Sequence, residues 1–186
     1  STYVLQEYFV PVARFDEFVA RMSEILARHR VNAVNVSVRH AFADPGSLLA
    51  WAPEEVFAFV LYHKQRTREN AKARVAVWTR ELIEAAIDCG GRYYLPYQPH
   101  ARPDQFHRAY PRARELFALK RTLDPTFRFR NVLWDTYYAP GLESSMDATA
   151  TPAGTPGVDD FRQVYGTPRG ADDFYRFLQN IYRLYP

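Results

Sequence analysis

The stretch Val34-Asn35-Val36-Ser37-Val38-Arg39 alternates between apolar and polar side chains. Because successive side chains of a β-strand point to opposite faces, this period predicts a strand with one apolar and one polar face. The strand covers about residues 30–42 and ends at Asp44-Pro45-Gly46, a sequence typical of a turn. Such a strand belongs to a sheet with one face covered by other elements. The opposite face then meets water, a ligand or another domain.

The flanking sequence predicts the order strand, helix, strand, strand, helix, strand. Runs of β-branched and aromatic residues indicate the other strands, and apolar residues spaced by three and four indicate the helices. Strands are expected at residues 3–10, 55–64 and 92–95, and helices at residues 13–29 and 67–88. This order predicts an α+β fold, a ferredoxin-like βαββαβ antiparallel sheet with both helices on one face. C-terminal helices are expected at about residues 103–108 and 110–123.

The composition changes after residue 138, which predicts one domain over residues 1–138. Residues 139–158 are rich in Pro, Gly, Ala, Ser and Thr and predict a flexible linker. Residues 159–186 contain an amphipathic helical segment, whose apolar stripe would pack on something such as a further domain. The chain starts in a strand and without methionine, which we interpret as a fragment boundary.

Composition excludes several classes of protein. Hydrophobic residues make up 47% of the 186 residues, which is enough for a core and excludes disorder of the whole chain. Cys89 is the single cysteine, so no internal disulfide forms and a cytoplasmic location is the simplest expectation. No apolar run approaches the roughly 20 residues of a membrane span. The net charge of +3 is spread among acidic residues, so no nucleic-acid partner is expected.

Common catalytic motifs are also missing. The sequence contains no GxGxxG, Walker-type loop, HExxH or GxSxG motif, and its histidines show no spacing typical of a zinc site. A self-contained enzyme that uses a nucleotide, a metal or a serine nucleophile is therefore poorly supported, and no metal ligands are predicted.

Three groups of polar or aromatic residues are candidates for a binding site. Arg39 offers planar donors for an oxyanion or a carboxylate, and the alternative is a solvated sheet face. Tyr62 and His63 stand at the end of the next strand, where a core histidine is the plainer interpretation. The tyrosines of residues 93–97 suit stacking on a ring, but they are equally compatible with an edge strand. The polar neighbours on the strand of Arg39 are Asn35 and Ser37.

Short motifs in the correct order give the chain a resemblance to a known family. Lys120, Asp124-Pro125, Phe129 and Asn131 resemble the C-terminal signature of FAD-linked oxidases of the vanillyl-alcohol oxidase type. Within this family, residues 94–97 (Tyr-Leu-Pro-Tyr) are similar to a stretch of the cytokinin dehydrogenases. Residues 7–11 (Glu-Tyr-Phe-Val-Pro) are similar to the strand that begins the substrate domain of the sugar-lactone and alditol oxidases. The match covers about residues 3–138.

The resemblance implies that residues 1–138 are the substrate domain, or cap, of an enzyme that oxidises an alcohol, sugar lactone or amine by hydride transfer to flavin. An N-terminal FAD-binding domain of the same protein would hold the cofactor. Arg39, Tyr62 and His63 would be catalytic. Residues near the small-molecule substrate would be Glu7, Asn35, Ser37, Tyr94 and Tyr97, and residues near the flavin would be Arg128 and Asn131. Ser37 replaces a family glutamate and residues 93–96 lack a family lysine, so a different substrate is expected.

Two other functions remain open on the sequence. A ferredoxin-like ligand- or RNA-binding module without catalysis has a compatible fold, although an RNA reader of this type carries aromatic residues on its central strands. A cofactor-free enzyme would need a general base such as Glu7, His40 or His63, and no pattern in the sequence selects one of them.

Overall fold

Four antiparallel strands form one sheet in a computed structural model that describes residues 1–44 and 46–138. Their order in the sheet is β2-β3-β1-β4, and the α+β class expected from the sequence is confirmed. The strands are β1 (Thr2–Pro11), β2 (Ala33–Ala41), β3 (Val56–Gln65) and β4 (Arg92–Tyr93). The expected linker at 139–158 and the segment 159–186 lie outside the described residues.

Two helices, α1 (Phe15–Arg28) and α2 (Glu69–Asp88), alternate with these strands along the chain. A single 3-10 turn, Val12–Arg14, leads from β1 into α1. Three shorter helices follow β4, and their bounds are α3 (Pro103–Ala109), α4 (Ala113–Leu123) and α5 (Val132–Tyr137). None of the helices in the described part of the chain is long and apolar enough to cross a membrane.

The register of the strands separates the side chains of the sheet into two sets. Tyr8 pairs with Phe59, which pairs with Val38, and these residues form one row across the sheet. The adjacent row consists of Glu7, Val60 and Ser37. Because neighbouring rows point to opposite faces, the first row faces the helices and the second row faces away from them.

The helix-covered face holds the main core. Buried side chains of α1 and α2 form one apolar cluster with Tyr8, Phe59 and Leu61 of the sheet. The helical members of this cluster include Phe18, Met22, Ile25, Val75, Trp78 and Leu82. They lie on the two stripes that their three-and-four spacing predicts. Full burial of each large apolar side chain stabilises the fold by about 1.5–3 kcal/mol.

The end of α2 has the geometry that its glycines predict. Gly90 has a φ of 76°, in the left-handed region that favours glycine. The Gly90 and Gly91 N–H groups donate to the carbonyls of Ile87 (2.8 Å) and Ala86 (2.7 Å). These two hydrogen bonds satisfy two carbonyls at the helix end, and the chain turns there directly into β4.

The elements after α2 differ from the expectation in three details. The helix expected from residue 110 starts at Ala113, because Tyr110 precedes a proline and is kept out of the helical region (φ −126°, ψ 74°). The strand expected at 92–95 ends at Tyr93, shortly before Pro96, which lacks an N–H donor. The six-residue helix α5 was not predicted, since it is too short for a periodic signal.

His100, in the loop before α3, gives a prediction about stability and pH. Burial, followed by the nearby charge of Arg80, lowers the pKa of His100 to about 4. The ordinary pKa of about 6.5 applies to the unfolded chain, so the unfolded state binds the proton more readily. Stability is therefore expected to fall as the pH decreases from about 6.5 towards 4. NMR titration of the His100 ring measures this directly, and a midpoint above pH 6 would contradict it.

Candidate functional site

The face of the sheet opposite α1 and α2 carries five of the candidate residues. We call it the open face and define it by Glu7 of β1, Asn35, Ser37 and Arg39 of β2, and Tyr62 of β3. Arg39 is exposed, and it makes no hydrogen bond or ion pair with any residue that the structure describes. Its guanidinium is therefore available to an external group.

One end of this surface is covered by the chain itself. Phe9 is buried with Ala58 in a second, smaller apolar cluster. The indole of Trp51, in the connection between β2 and β3, lies 4.4 Å from the Phe9 ring. The Arg92 guanidinium donates to the carbonyl of Ala50 in the same connection. The sequence predicted a face that meets water, a ligand or another domain, and the structure shows that the chain covers the part of it around Phe9 and Ala58, whereas Arg39 is exposed.

Glu7 is the titratable group with the most distinctive environment on the open face. Its partial burial raises the pKa of the Glu7 carboxyl above the ordinary value, and the positive charge of Arg39 opposes that rise. Burial also raises the pKa of Tyr97, with a further rise from Glu7. Glu7, Arg39 and Tyr97 thus influence one another, although they come from β1, β2 and the loop after β4.

The remaining open-face residues extend this polar surface. The Asn35 side-chain amide donates to the Ser37 hydroxyl at 3.2 Å. The ring of Tyr62 stacks on that of Tyr3, with centroids 5.2 Å apart and planes inclined by 22°. The result is a polar strand edge beside an aromatic pair in which Tyr3 is exposed and Tyr62 is half-buried.

An aromatic cleft of about 650 Å³ lies beside the open face. Tyr94 and Tyr97 contribute to its wall and contact each other edge-to-face, with centroids 4.9 Å apart. The backbone N–H of Tyr94 donates to the Glu7 carbonyl at 2.9 Å, which holds the cleft against β1. Other described residues that line it include Trp51, Leu95, Asn131 and Leu133. This volume lies in the range of small-molecule sites.

The residues of the C-terminal motif have a structural role in the turn between α4 and α5. The Asp124 carboxylate accepts the backbone N–H groups of Arg128 (2.9 Å) and Phe129 (3.0 Å) and pairs with Lys120. Asn131 caps α5 by accepting the N–H of Trp134 at 2.8 Å. Asn131 also lines the aromatic cleft, whereas the exposed Arg128 is not among the lining residues.

The structure separates His63 from the other candidates. His63 is 1% exposed on the helix-covered face, where its ring meets Trp78 edge-to-face at 4.9 Å. Burial lowers the pKa of His63. Since Tyr62 and His63 are consecutive in β3, they point to opposite faces, so His63 does not lie on the open face with Tyr62 and Arg39.

Sequence reasoning missed the aromatic residues that complete the surface. Tyr3 was part of a predicted strand, but only the pairing of β1 with β3 places it beside Tyr62. Trp51 lies in an irregular connection, where no periodicity indicates which side chain turns inward. Within residues 1–44 and 46–138, no group of three or more His, Cys, Asp or Glu side chains is arranged to hold a metal ion.

No protein-family model matches this chain, and no curated protein sequence matches it significantly. The resemblance to FAD-linked oxidases therefore depends on the short motifs quoted above.

Proposed function

We propose that this chain is the C-terminal, substrate-binding part of an FAD-dependent oxidoreductase. One observation carries the proposal: Glu7 and Arg39 share the open face of the sheet, separated by β3, beside an aromatic cleft lined by Tyr97. Here Arg39 is exposed and without a described partner, as expected for a surface completed by a second domain.

The element order and the strand order β2-β3-β1-β4 support a ferredoxin-like βαββαβ arrangement for this part. In that arrangement both helices cover one face, and the other face is free to lie over a ligand. An N-terminal FAD-binding domain of the same protein is the proposed partner, and it would hold most of the cofactor.

The residues of the open face fit an oxidation of an alcohol or amine carbon. When bound, the flavin supplies a hydride acceptor at its N5 atom. The Arg39 guanidinium would orient the substrate oxygen and stabilise negative charge on it. The Glu7 carboxylate is the group that would accept the substrate proton, and Tyr94 and Tyr97 would contact the substrate or the ring.

The absorption spectrum of the complete protein tests this proposal. We expect the intact polypeptide to purify with bound flavin and the 186-residue chain alone to be without oxidase activity. Release of the flavin by denaturation, followed by its quantification, provides the stoichiometry. A complete protein that contains no flavin and gains no activity with added FAD would contradict the proposal.

The raised pKa of Glu7 leads to a prediction about the pH profile. If the Glu7 carboxylate accepts the proton, kcat/KM falls on the acid side with an apparent pKa above the ordinary 4.5. Since Arg39 lowers that pKa, the acid limb of the Arg39→Ala variant is expected at higher pH than that of the parent. A pH–rate profile of both proteins measures this shift. Coincident acid limbs would remove Glu7 from the reaction.

A second candidate function is an RNA-binding module. Tyr3 and Tyr62 stack on β1 and β3, the two central strands of the sheet, and the Lys64 ammonium lies 5.8 Å from the Tyr3 ring. Exposed aromatic residues on central strands are typical of single-stranded RNA readers. The negative charge of the Glu7 carboxylate on the same face would repel the phosphate backbone of an RNA. Salt-dependent RNA binding that is lost in Tyr62→Ala would favour this candidate.

A further inference from the structure

A second cleft, which we call the basic cleft, lies where α1 ends and α2 begins, at the C-terminal end of β3. Its volume is about 710 Å³. Four cationic side chains line it: Arg30, Lys64, Arg66 and Arg74. None of the described residues that line the cleft is Asp or Glu. The cleft therefore combines a molecule-sized space with four cationic side chains, and the Glu81 carboxylate pairs with the lining residue His29 at 3.0 Å.

The arginines of the basic cleft differ from others on the helices. Arg21, Arg28 and Arg108 each form ion pairs with carboxylates of α2 or α1. In contrast, Arg30, Arg66 and Arg74 form no ion pair with any residue in the described part of the chain. Guanidinium groups left without carboxylates around one cavity are suited to an anion, which they bind in pairs of parallel hydrogen bonds.

The inner part of the same cleft contains two buried polar side chains. His63 and Gln65 both line it, and they are 1% and 4% exposed. Among the described residues, no hydrogen bond of ordinary geometry reaches either ring nitrogen of His63 or Oε1 of Gln65, although the pKa of the His63 ring, which burial lowers, is raised by the neighbouring Gln65 side chain. Buried polar atoms are normally paired, so these atoms are suited to bind a polar group of a ligand in the inner part of the cleft.

The backbone of Arg30 provides a third observation. The Arg30 N–H donates to the Ala27 carbonyl (3.0 Å), and the Val31 N–H donates to the Leu26 carbonyl (2.9 Å). These two hydrogen bonds at the end of α1 have the same spacing as the two at the end of α2, where Gly90 holds the corresponding position. Arg30 thus occupies the left-handed position, with a φ of 48°, where glycine is favoured. An arginine kept at this position despite the conformational cost points to a use of its side chain.

We propose that the basic cleft is a binding site for a small organic phosphate. The phosphate would contact the guanidinium groups of Arg30, Arg66 and Arg74. The polar part of the ligand would bond to His63 and Gln65, and Val75 and Trp78 provide an apolar wall. The inner part of this site lies across the sheet from Glu7 and Arg39, so the proposal is independent of the proposed oxidoreductase function.

Inorganic pyrophosphate is the probe, with the 186-residue chain and two variants. Arg30→Gly removes one phosphate contact and also relieves the left-handed strain, so it is expected to fold more stably than the parent. Without ligand, we expect its melting temperature to rise by about 2–4 °C. Calorimetric titration is expected to show that Arg30→Gly binds pyrophosphate about tenfold more weakly than the parent, because the variant lacks one charge-assisted hydrogen-bond contact.

Arg121→Gln provides the matched control, because it removes one positive charge from α4, which contributes no residue to the cleft. Its affinity for pyrophosphate is expected to equal that of the parent. On binding, the NMR signals of the His63 ring are also expected to shift in the parent protein. The proposal is overturned if pyrophosphate does not bind, whether or not an oligonucleotide binds to the same chain. It is also overturned if Arg121→Gln weakens pyrophosphate binding as much as Arg30→Gly does.

Discussion

Replacement of Arg39 by alanine in the complete protein is expected to reduce kcat/KM about 100–1,000-fold. The physical reason is the loss of a positive charge beside the substrate oxygen. The attraction between this charge and the oxygen would be stronger in the transition state, when the oxygen gains negative charge, than in the bound substrate. Arg39 is exposed and makes no hydrogen bond or ion pair with a described residue, so its removal should leave the free energy of unfolding nearly unchanged. Steady-state kinetics together with urea denaturation separate the two effects.

Two variants control this experiment. Arg39→Lys retains the charge but loses the planar pair of donors, and an intermediate loss of kcat/KM is expected. His40→Ala changes the next residue of β2, whose side chain points to the opposite face and pairs with Glu55, so kcat/KM should be unaffected. Unchanged turnover and Michaelis constant in Arg39→Ala would remove Arg39 from the site.

The second large effect concerns stability and is located at Gly91. A Cβ atom at Gly91 would overlap the backbone carbonyl oxygen of Phe9 in β1 and lie 2.9 Å from the Ala86 oxygen. Neither backbone group can move without breaking the pairing of β1 with β4 or the end of α2. Gly91→Ala is therefore expected to reduce the free energy of unfolding by about 3 kcal/mol or more.

Gly90→Ala is the matched control for this variant. Its Cβ would meet only the Pro11 side chain, at 3.8 Å, so the cost is limited to the positive φ and should be about 1 kcal/mol. Urea denaturation of the 186-residue chain measures both changes. Equal losses in the two variants would show that the close approach of Gly91 to β1 has no energetic consequence.

Much of the fold follows from local patterns in the sequence. The alternation of residues 34–39 placed Asn35, Ser37 and Arg39 on one face, and the register of β2 against β3 has that arrangement. The helical stripes of α1 and α2 also follow from side-chain period, because packing requires a continuous apolar face on each helix. In these segments a single periodicity determines both the element and its buried side.

The candidate site was less accessible to sequence reasoning, because it depends on contacts between distant segments. Glu7 and Tyr97 are brought together only by the short strand β4 and the loop after it, and neither carries a periodic signal. His63 was assigned to the same site as Tyr62, although consecutive strand residues cannot share a face. The cover over Phe9 depends on Trp51, in an irregular connection for which local propensity predicts no path.

The structure of the complete protein with substrate bound tests the central claim most directly. The quantity to measure is the distance from the Arg39 guanidinium nitrogens to the substrate oxygen. A distance within hydrogen-bonding reach, about 2.7–3.2 Å, with the open face lying over the flavin, is the predicted result. An open face turned towards solvent, with Arg39 far from both substrate and flavin, would contradict the account.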